Sequence, residues 1–420
     1  MSLKDLPNEL IAAICEIADK DALMALRLTE KGISTSATKS FSDRFMTSFS
    51  VFLTTPCLTR LAEICEHPSF GPGVRKLYIS SRRITPHHIG YLEGQRDYLI
   101  KWYKNRIEEI ARAELALQRC RNRYREEEAL KQEGGATKLL TRAFTALEAW
   151  RHDVELSIVH DIQDFGANFL GSDCFQIRGP NATAYCLTST FQPCLEAIHV
   201  SNMQFRKLDV SVRERSQDRT EVDFNLMSFS KTDLKRFSML RSIAFGLARL
   251  TSHETVLSVA AIVSQARQLE DLHLSHGDKF YIDDQETDRP PHTQFLLGDG
   301  ALQSVNSDKI KSLSFNSMSF STQCLLELLD RYRNTLETLQ FALCALRDGS
   351  WLEVISYMRE SLPLLSTLKI YALFDVNPPS DYSTAIAGSR QVSVQGKKKV
   401  QAVLRAIIQD PLDDLLDYSQ

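Results

Sequence analysis

Long apolar runs are absent from this sequence of 420 residues. No segment approaches the roughly 18 apolar residues of a transmembrane helix, and the first residues contain no apolar region typical of a signal peptide. We therefore expect no membrane partner and an intracellular protein, cytoplasmic or nuclear or both, that is not secreted. An excess of one charge is also missing, because 50 basic and 53 acidic side chains leave a net charge of −3. This balance argues against a nucleic-acid partner.

Metal-binding and catalytic motifs are missing as well. The nine cysteines form no C-x-x-C pair, and no His-x-His or His-x-x-x-His grouping lies near them, so we expect reduced thiols and no metal site. No Gly-rich phosphate loop, G-x-S-x-G or H-E-x-x-H motif occurs. The sequence therefore predicts no catalytic residue, no cofactor and no enzymatic activity.

The first 50 residues contain three short helical patterns in tandem. Pro7 suits the first turn of a helix, where its missing N–H needs no partner. One apolar stripe follows at i, i+4 and i+7, formed by Leu10, Ile14 and Ile17. Asp19 or Asp21 can cap a second helix, and residues 29–32 turn the chain into a third. Helices this short cannot bury all their apolar side chains against one another, so the remainder favours a partner.

This segment resembles the F-box, especially its fungal variants. The matching residues are Leu6-Pro7-x-Glu9-Leu10, Leu23-x-x-Leu26-Arg27-Leu28-x-x-Lys31 and Phe41. F-box domains bind the Skp-type adaptor of cullin-based ubiquitin ligases, so the resemblance implies that adaptor and, through it, a cullin as partners. The residues expected to contact the adaptor are Leu6, Pro7, Glu9, Leu10, Ile14, Leu23, Leu26 and Arg27. A small helical cap with no adaptor remains the alternative.

An apolar hexad, Φ-x-x-Φ-x-Φ, recurs through the rest of the chain. Its copies lie at 195–200, 240–245, 269–274, 310–315, 336–341 and 365–370, with an earlier copy at 74–79 and a further strand pattern at 154–158. The pattern resembles leucine-rich repeats, in which each unit adds one strand to a parallel sheet and returns through a helix. The unequal spacing of the copies predicts an irregular solenoid.

Residues 93–131 predict a long amphipathic helix, because charges of both signs alternate with an apolar stripe. Gly134 and Gly135 break the pattern, and a second helix can then fold back as a hairpin. Such a hairpin either packs on its own domain or projects as a partner-binding arm. Near the end of the sequence, Lys397 starts a further helical pattern that can cover the last repeat.

The predicted fold class is therefore mixed α/β. A short, all-helical F-box-like domain precedes an irregular leucine-rich-repeat-like solenoid with a parallel sheet and a helical-hairpin insertion. The expected domains are an F-box-like helical domain at 1–50, a connector and first repeat at 51–92, an amphipathic helical-hairpin insertion at 93–150, a repeat solenoid at 151–395 and a capping helix at 396–420.

Strand alternation buries the apolar hexad positions and turns their neighbours outward. The outward residues expected to contact a protein target are Tyr78, His199, His273, Asn316, Gln340, Lys369 and Tyr371. Polar outward residues are also what solubility demands, so both interpretations stay open. The leading hypothesis is a substrate-receptor subunit of a cullin-type ubiquitin ligase. The rival is a non-enzymatic repeat scaffold with no ligase link.

Overall fold

The computed structural model describes residues 6–81, 83–84, 86–150, 153–159, 186–210, 234–247, 253–276, 299–300, 302–375 and 391–409. The described chain is mixed α/β with mostly parallel strands, which confirms the predicted fold class at that level. It divides into two compact units, Met1–Phe205 and Arg206–Gln420. Parts of the predicted repeat domain, at 160–185, 211–233, 277–298 and 376–390, lie outside the described residues, as do 410–420 of the predicted capping helix.

The first unit begins with the three predicted helices. They are α1 (Asn8–Ile17), α2 (Lys20–Leu26) and α3 (Lys31–Phe45). Pro7 stands immediately before α1, and its carbonyl accepts the backbone N–H groups of Leu10 and Ile11, both at 3.1 Å. Asp19 is the residue that caps α2, since its carboxylate accepts the Ala22 N–H at 2.7 Å. The buried core that joins these helices consists of Ile11, Cys15, Leu23, Ile33, Ala37 and Phe41.

Three parallel strands follow in the first unit, each separated from the next by helices. The elements are β1 (Ser48–Phe52), α4 (Thr55–Glu66), β2 (Lys76–Ser80), α5 (Pro86–Trp102), α6 (Ile107–Gln132), α7 (Gly135–Ala149), β3 (Val154–Val159) and α8 (Cys186–Ser201). The strands pair in the order β1-β2-β3. Leu77 pairs with Leu156, and Ile79 with Ile158. The hexad at 74–79 therefore forms a strand, as predicted, whereas β1 was not predicted.

The helical insertion differs from the predicted hairpin. The helix expected over 93–131 is interrupted at residues 103–106, so α5 and α6 form the hairpin. Gly134 has φ of +61°, and the chain breaks there as expected. The next helix, α7, packs against α4 and α8. Thr137 of α7 donates to Glu196 of α8 at 2.8 Å. This helix is thus part of the unit's own core, whereas α5 and α6 share a separate small cluster that includes Leu92 and Leu117.

The second unit contains the remaining hexads. Its elements are β4 (Phe205–Val210), which begins at the boundary, β5 (Ser242–Leu247), α9 (His253–Gln265), β6 (Asp271–His276), β7 (Ser312–Asn316), β8 (Ser319–Phe320), α10 (Thr322–Arg331), β9 (Thr338–Leu346), α11 (Trp351–Ser361), β10 (Thr367–Asp375), β11 (Gln391–Gln395) and α12 (Lys397–Gln409). The strands pair in the order β4-β5-β6-β7-β9-β10-β11, with β8 beside β9. All these pairs are parallel except β10 with β11.

The hexad predicts the register of this sheet. The fourth hexad residues pair in one continuous row, Ile243, Leu272, Leu313, Leu339 and Leu368. The sixth residues form a second row, Phe245, Leu274, Phe315, Phe341 and Ile370. All ten side chains are buried, because alternate residues of a strand point to the same face. Helix α11 covers part of this face, since Trp351 packs edge-on against Phe341 at 5.0 Å between ring centroids.

One predicted strand was wrong. Residues 195–200 fit the hexad but lie in helix α8. The buried side chains of this helix recur at helical spacing, as Phe191, Cys194, Leu195 and Ile198. Apolar residues at i and i+3 suit both structures, so the hexad alone does not separate a strand from a helix face. The next strand in the chain is β4, in which Phe205, Leu208 and Val210 are buried.

Candidate partner-binding surfaces

The three N-terminal helices present two apolar faces. On α1, Ile11 and Cys15 belong to the buried core, while Leu10, Ile14 and Ile17 occupy a separate stripe. Ile17 is 85% exposed and Leu28, just after α2, is 89% exposed. Leu10 and Met24 are about half exposed. These four residues, Leu10, Ile17, Met24 and Leu28, are called here the outer apolar residues. Exposed apolar side chains on so small a domain are typical of a protein-binding surface.

The residues predicted to bind the adaptor fall into separate groups. Pro7, Glu9 and Leu10 are exposed and Ile14 is half-buried. Leu23 is fully buried in the core, which corrects its assignment to an outward face. Leu6 and Leu26 are partly buried and pack against the same core. The structure thus leaves the start of α1 accessible and gives the other leucines a folding role.

Arg27 is a packing residue as much as a surface charge. Its guanidinium lies 4.6 Å from the ring centroid of Phe41 and 5.1 Å from that of Phe70. These cation–aromatic contacts join α2 and α3 to the loop that precedes β2. The prediction from the sequence missed Ile17, Met24 and Leu28 as outward residues. Ile17 belongs to the recognised stripe, and Met24 and Leu28 share the i, i+4 spacing of a common helix face.

Side-chain hydrogen bonds hold the three helices in place. Arg44 of α3 donates to the Ala18 carbonyl at 2.6 Å and to the Glu16 carbonyl at 2.9 Å. These carbonyls end α1 and have no partner within the helix, so the guanidinium caps it. Ser34 of α3 donates to the Arg27 carbonyl at 2.8 Å and fixes the end of α2 in the same way. The outer apolar residues therefore stand on a pre-organised frame.

A groove of about 390 Å³ lies beside α3. It is lined by Lys31, Ser34, Thr35, Thr38, Lys39, Ser42, Asp43, Pro68, Ser69 and Pro72.

Among the described residues, no three His, Cys, Asp or Glu side chains lie close enough to hold a metal ion. Burial raises the pKa of Cys65, Cys194 and Cys344 to about 12. These thiols stay protonated at neutral pH and are poor nucleophiles.

The open face of the second unit's sheet carries aligned polar rows. One row of register partners is Asp209, Ala244, His273, Ser314, Gln340, Lys369 and Ser393. The adjacent row contains Ser275, Asn316, Ala342 and Tyr371. His273 Nδ1 and Ser314 Oγ are 2.8 Å apart across two strands. Five of the residues predicted to bind a target, His273, Asn316, Gln340, Lys369 and Tyr371, therefore share this face.

Two of the predicted target residues lie elsewhere. Tyr78 is half-buried on β2 of the first unit. His199 is half-buried in helix α8 and does not belong to a sheet face. The reason is the misassigned hexad at 195–200, which placed a helical residue in a strand. Residues that the sequence did not single out, such as Asp209 and Ser393, enter the face through strand register alone.

Charged residues line the start of the strands in the second unit. Glu270 lies between Lys311, at 2.8 Å, and Arg241, at 4.0 Å. The hydrogen bond from Lys311 is the main cause that lowers the pKa of Glu270 below its ordinary value of 4.5, with Arg241 and Arg206 adding to it. The same bond raises the pKa of Lys311. These residues form a row of alternating opposite charges where successive strands begin.

No helix in the described ranges is both long and apolar enough to cross a membrane. Comparison with models of known protein families gives no match. Comparison with curated protein sequences likewise gives no significant match. The functional argument for this chain therefore depends on its own residues.

Proposed function

We propose that this protein is a substrate-receptor subunit of a cullin-type ubiquitin ligase. In this proposal the N-terminal helices bind a Skp-type adaptor and the repeat region, an irregular leucine-rich-repeat-like solenoid, binds a protein target. The observation that carries this proposal is the exposure of the outer apolar residues on a three-helix domain. The sequence motif of this domain resembles the F-box. The chain would not catalyse ubiquitin transfer. It would raise the effective concentration of a target lysine near a ubiquitin-charged enzyme.

The packing of the N-terminal helices supports the adaptor-binding part of the proposal. The domain has a buried core that includes Ile11, Leu23 and Phe41. The outer apolar residues do not belong to this core. Each half-exposed or exposed leucine or isoleucine gains about 1 to 2 kcal/mol when a partner buries it. The capped ends of α1 and α2 reduce the ordering cost of such a contact.

The open sheet face supports the target-binding part. Its rows mix small side chains with His273, Gln340, Lys369 and Tyr371, so backbone can approach closely between larger polar groups. The mixture of hydrogen-bonding and aromatic groups suits a protein ligand. The row at His273 and Ser314 offers a preformed polar pair at its centre.

Binding to a recombinant Skp-type adaptor tests this function. In the full chain, Leu10→Asp/Ile17→Asp places two charges on the outer stripe of α1 without touching the core. We expect the double variant to weaken the complex by about tenfold or more, measured by calorimetry or surface plasmon resonance. Leu6→Ala is a poorer test, because Leu6 packs against the core and its loss also destabilises the domain.

The matched control is Val200→Asp/Leu257→Asp, which adds the same charges at exposed apolar positions on α8 and α9. We expect this variant to bind the adaptor like the parent chain. The adaptor role is refuted if the parent chain does not bind, or if the α1 variant binds as tightly as the control.

A further inference from the structure

The groove beside α3 is a second candidate binding site, and it does not depend on adaptor binding. Helix α3 forms one wall, which includes Thr38 and Ser42. The loop before β2 forms the other wall, with Pro68, Ser69 and Pro72. Both walls belong to the first unit. The volume of about 390 Å³ lies in the range of small-molecule sites, about 300 to 1,000 Å³.

The groove contains a buried hydroxyl group that the fold does not use. Ser42 is only 2% exposed, yet its side chain lines the groove. Within the described part of the chain, this hydroxyl makes no hydrogen bond. Gly73 leaves the space for it, because a Cβ atom at position 73 would lie 2.5 Å from Ser42 Oγ. Buried polar groups normally have a hydrogen-bond partner, and a ligand in the groove can supply one.

Other hydrogen-bond donors around the groove are also uncommitted. The hydroxyl groups of Thr38 and Ser69 make no hydrogen bond to a described residue. The ammonium groups of Lys31 and Lys39 likewise form no ion pair within the described ranges. With Ser42, the lining therefore offers three free hydroxyls and two free ammonium groups. Such a set of donors favours an anion that has several acceptor oxygens.

Acidic residues limit the charge that the groove can accept. Asp43 is the one acidic residue among those that line it. Glu30 precedes Lys31 in the chain but does not belong to the lining. Two lysines and one aspartate leave the lining with a net charge of +1. This charge suits a ligand with one anionic group, not a polyanion.

The lining also has an apolar part, formed by Pro68 and Pro72 on the loop. A phosphate monoester carries three terminal acceptor oxygens, whereas a carboxylate carries two, so phosphate uses more of the free donors. We propose that the groove beside α3 binds a small organic phosphate monoester. Its phosphate group accepts hydrogen bonds from Ser42 and from the two lysines of the lining. Its apolar part packs against the two prolines.

Calorimetric titration of the full chain with phenyl phosphate tests this proposal. We expect saturable binding with a Kd of about 1 mM or below. Ser42→Ala removes the hydroxyl and should weaken binding about tenfold. The hydroxyl has no partner in the described chain and alanine favours helices, so the variant should unfold at the temperature of the parent chain or above it. Unfolding at a lower temperature would show that the hydroxyl has a structural role, and would overturn its assignment as a free donor.

Charge substitutions test the anion. Lys31→Ala/Lys39→Ala should weaken binding about tenfold or more. Asp43→Asn should tighten it about twofold to threefold, because it removes a like charge from the lining. Added salt should weaken binding to the parent chain. Binding that does not respond to these substitutions contradicts the proposal.

Matched variants control for general charge attraction. Lys104→Ala/Lys138→Ala and Asp308→Asn make the same changes in charge at exposed positions outside the lining. We expect both to bind phenyl phosphate like the parent chain. Equal effects of groove and control substitutions, or no saturable binding to the parent chain, overturn the site.

Three further ligands test the chemistry assigned to the occupant. Benzoate and inorganic phosphate should each bind at least about fivefold more weakly than phenyl phosphate. Benzoate binding as tight as that of phenyl phosphate overturns the phosphate assignment. Equally tight inorganic phosphate identifies an adventitious ion only. Tighter binding of a short peptide with a central phosphoserine overturns the small-molecule assignment, since it identifies a phosphorylated protein segment.

Discussion

At the residue scale, the same amino acid has opposite roles within a few positions. Leu23 and Leu28 both belong to the F-box-like motif, yet Leu23 is fully buried and Leu28 is almost fully exposed. A buried leucine contributes transfer free energy and fills space that its neighbours cannot reoccupy. An exposed leucine contributes nothing to folding and is available to a partner. The two leucines occupy equivalent positions in the sequence motif, but their burial differs. The buried one stabilises the fold, and the exposed one is available for binding.

Alanine substitutions measure this difference. We expect Leu23→Ala to lower the free energy of unfolding of the N-terminal helices by about 2 to 5 kcal/mol, because it leaves a cavity beside Ile33 and Phe41. Leu28→Ala should change it by less than about 0.5 kcal/mol. Urea unfolding followed by circular dichroism gives both values. Comparable losses from the two substitutions would contradict the assignment of faces.

At the element scale, the strands of the second unit begin with a recurring backbone arrangement. The N–H groups of Glu270 and Asp271 both donate to the Arg241 carbonyl, at 2.7 and 2.9 Å. Lys311 and Ser312 donate in the same way to the Glu270 carbonyl, at 2.8 and 3.0 Å. These bonds satisfy backbone donors and acceptors where the strands begin. The charged side chains at the same positions add a second, electrostatic ladder.

A double-mutant cycle of Glu270→Gln and Lys311→Met measures the electrostatic part. The pKa of Glu270 in the folded protein is lowered, chiefly by the Lys311 hydrogen bond. Its ion pair therefore stabilises the fold fully at pH values above the ordinary pKa of a glutamate. This stabilisation is lost as the pH falls through the lowered pKa. Both groups are partly exposed, so we expect a small favourable coupling energy at neutral pH. The coupling energy should shrink towards zero below pH 4.5, the ordinary pKa of a glutamate.

Urea titrations of the parent, both single variants and the double variant at several pH values provide this coupling energy. The cycle cancels the general effects of acid on the fold, because each variant experiences them alike. A coupling that does not change with pH would show that the Glu270 carboxylate does not titrate against Lys311.

At the scale of the whole molecule, the N-terminal helices have a core of their own. Residues Ile11 to Phe41 supply every fully buried member of that cluster, and Phe70 is the one member that follows β1 in sequence. The strands and helices from β1 onward bury separate apolar sets. The proposed docking domain would need such a separate core. A helical cap required for folding of the repeats would share its core with them.

Deletion of residues 1–46 tests the separation. We expect the shortened chain to keep cooperative thermal unfolding, with a midpoint lowered by only a few degrees, about what the loss of 1 kcal/mol produces in a chain this long. Circular dichroism and scanning calorimetry on the full and shortened chains provide the comparison. Loss of cooperative unfolding would favour the rival scaffold, in which these helices only cap the repeats.

Much of the fold was predictable because it is encoded in local patterns. The tandem helices follow from Pro7, Asp19 and the apolar stripe of α1, all of which act within a few residues. Several hexads predict not only strands but their register, since a period of two buries the same positions in every repeat. The prediction failed at 195–200, where helix and strand spacing coincide, and at the hairpin, where the turn at 103–106 carries no glycine or proline.

The sequence by itself determined the starts of α1, α2 and α12, most of the described strands of the parallel sheet and the residue types available for binding. These depend on backbone sterics, capping and alternation, which are local in the chain. Only the tertiary structure decided which apolar side chains are surplus: Leu23 inside, Ile17 and Leu28 outside. Burial depends on contacts between residues far apart in sequence, so no local pattern contains it.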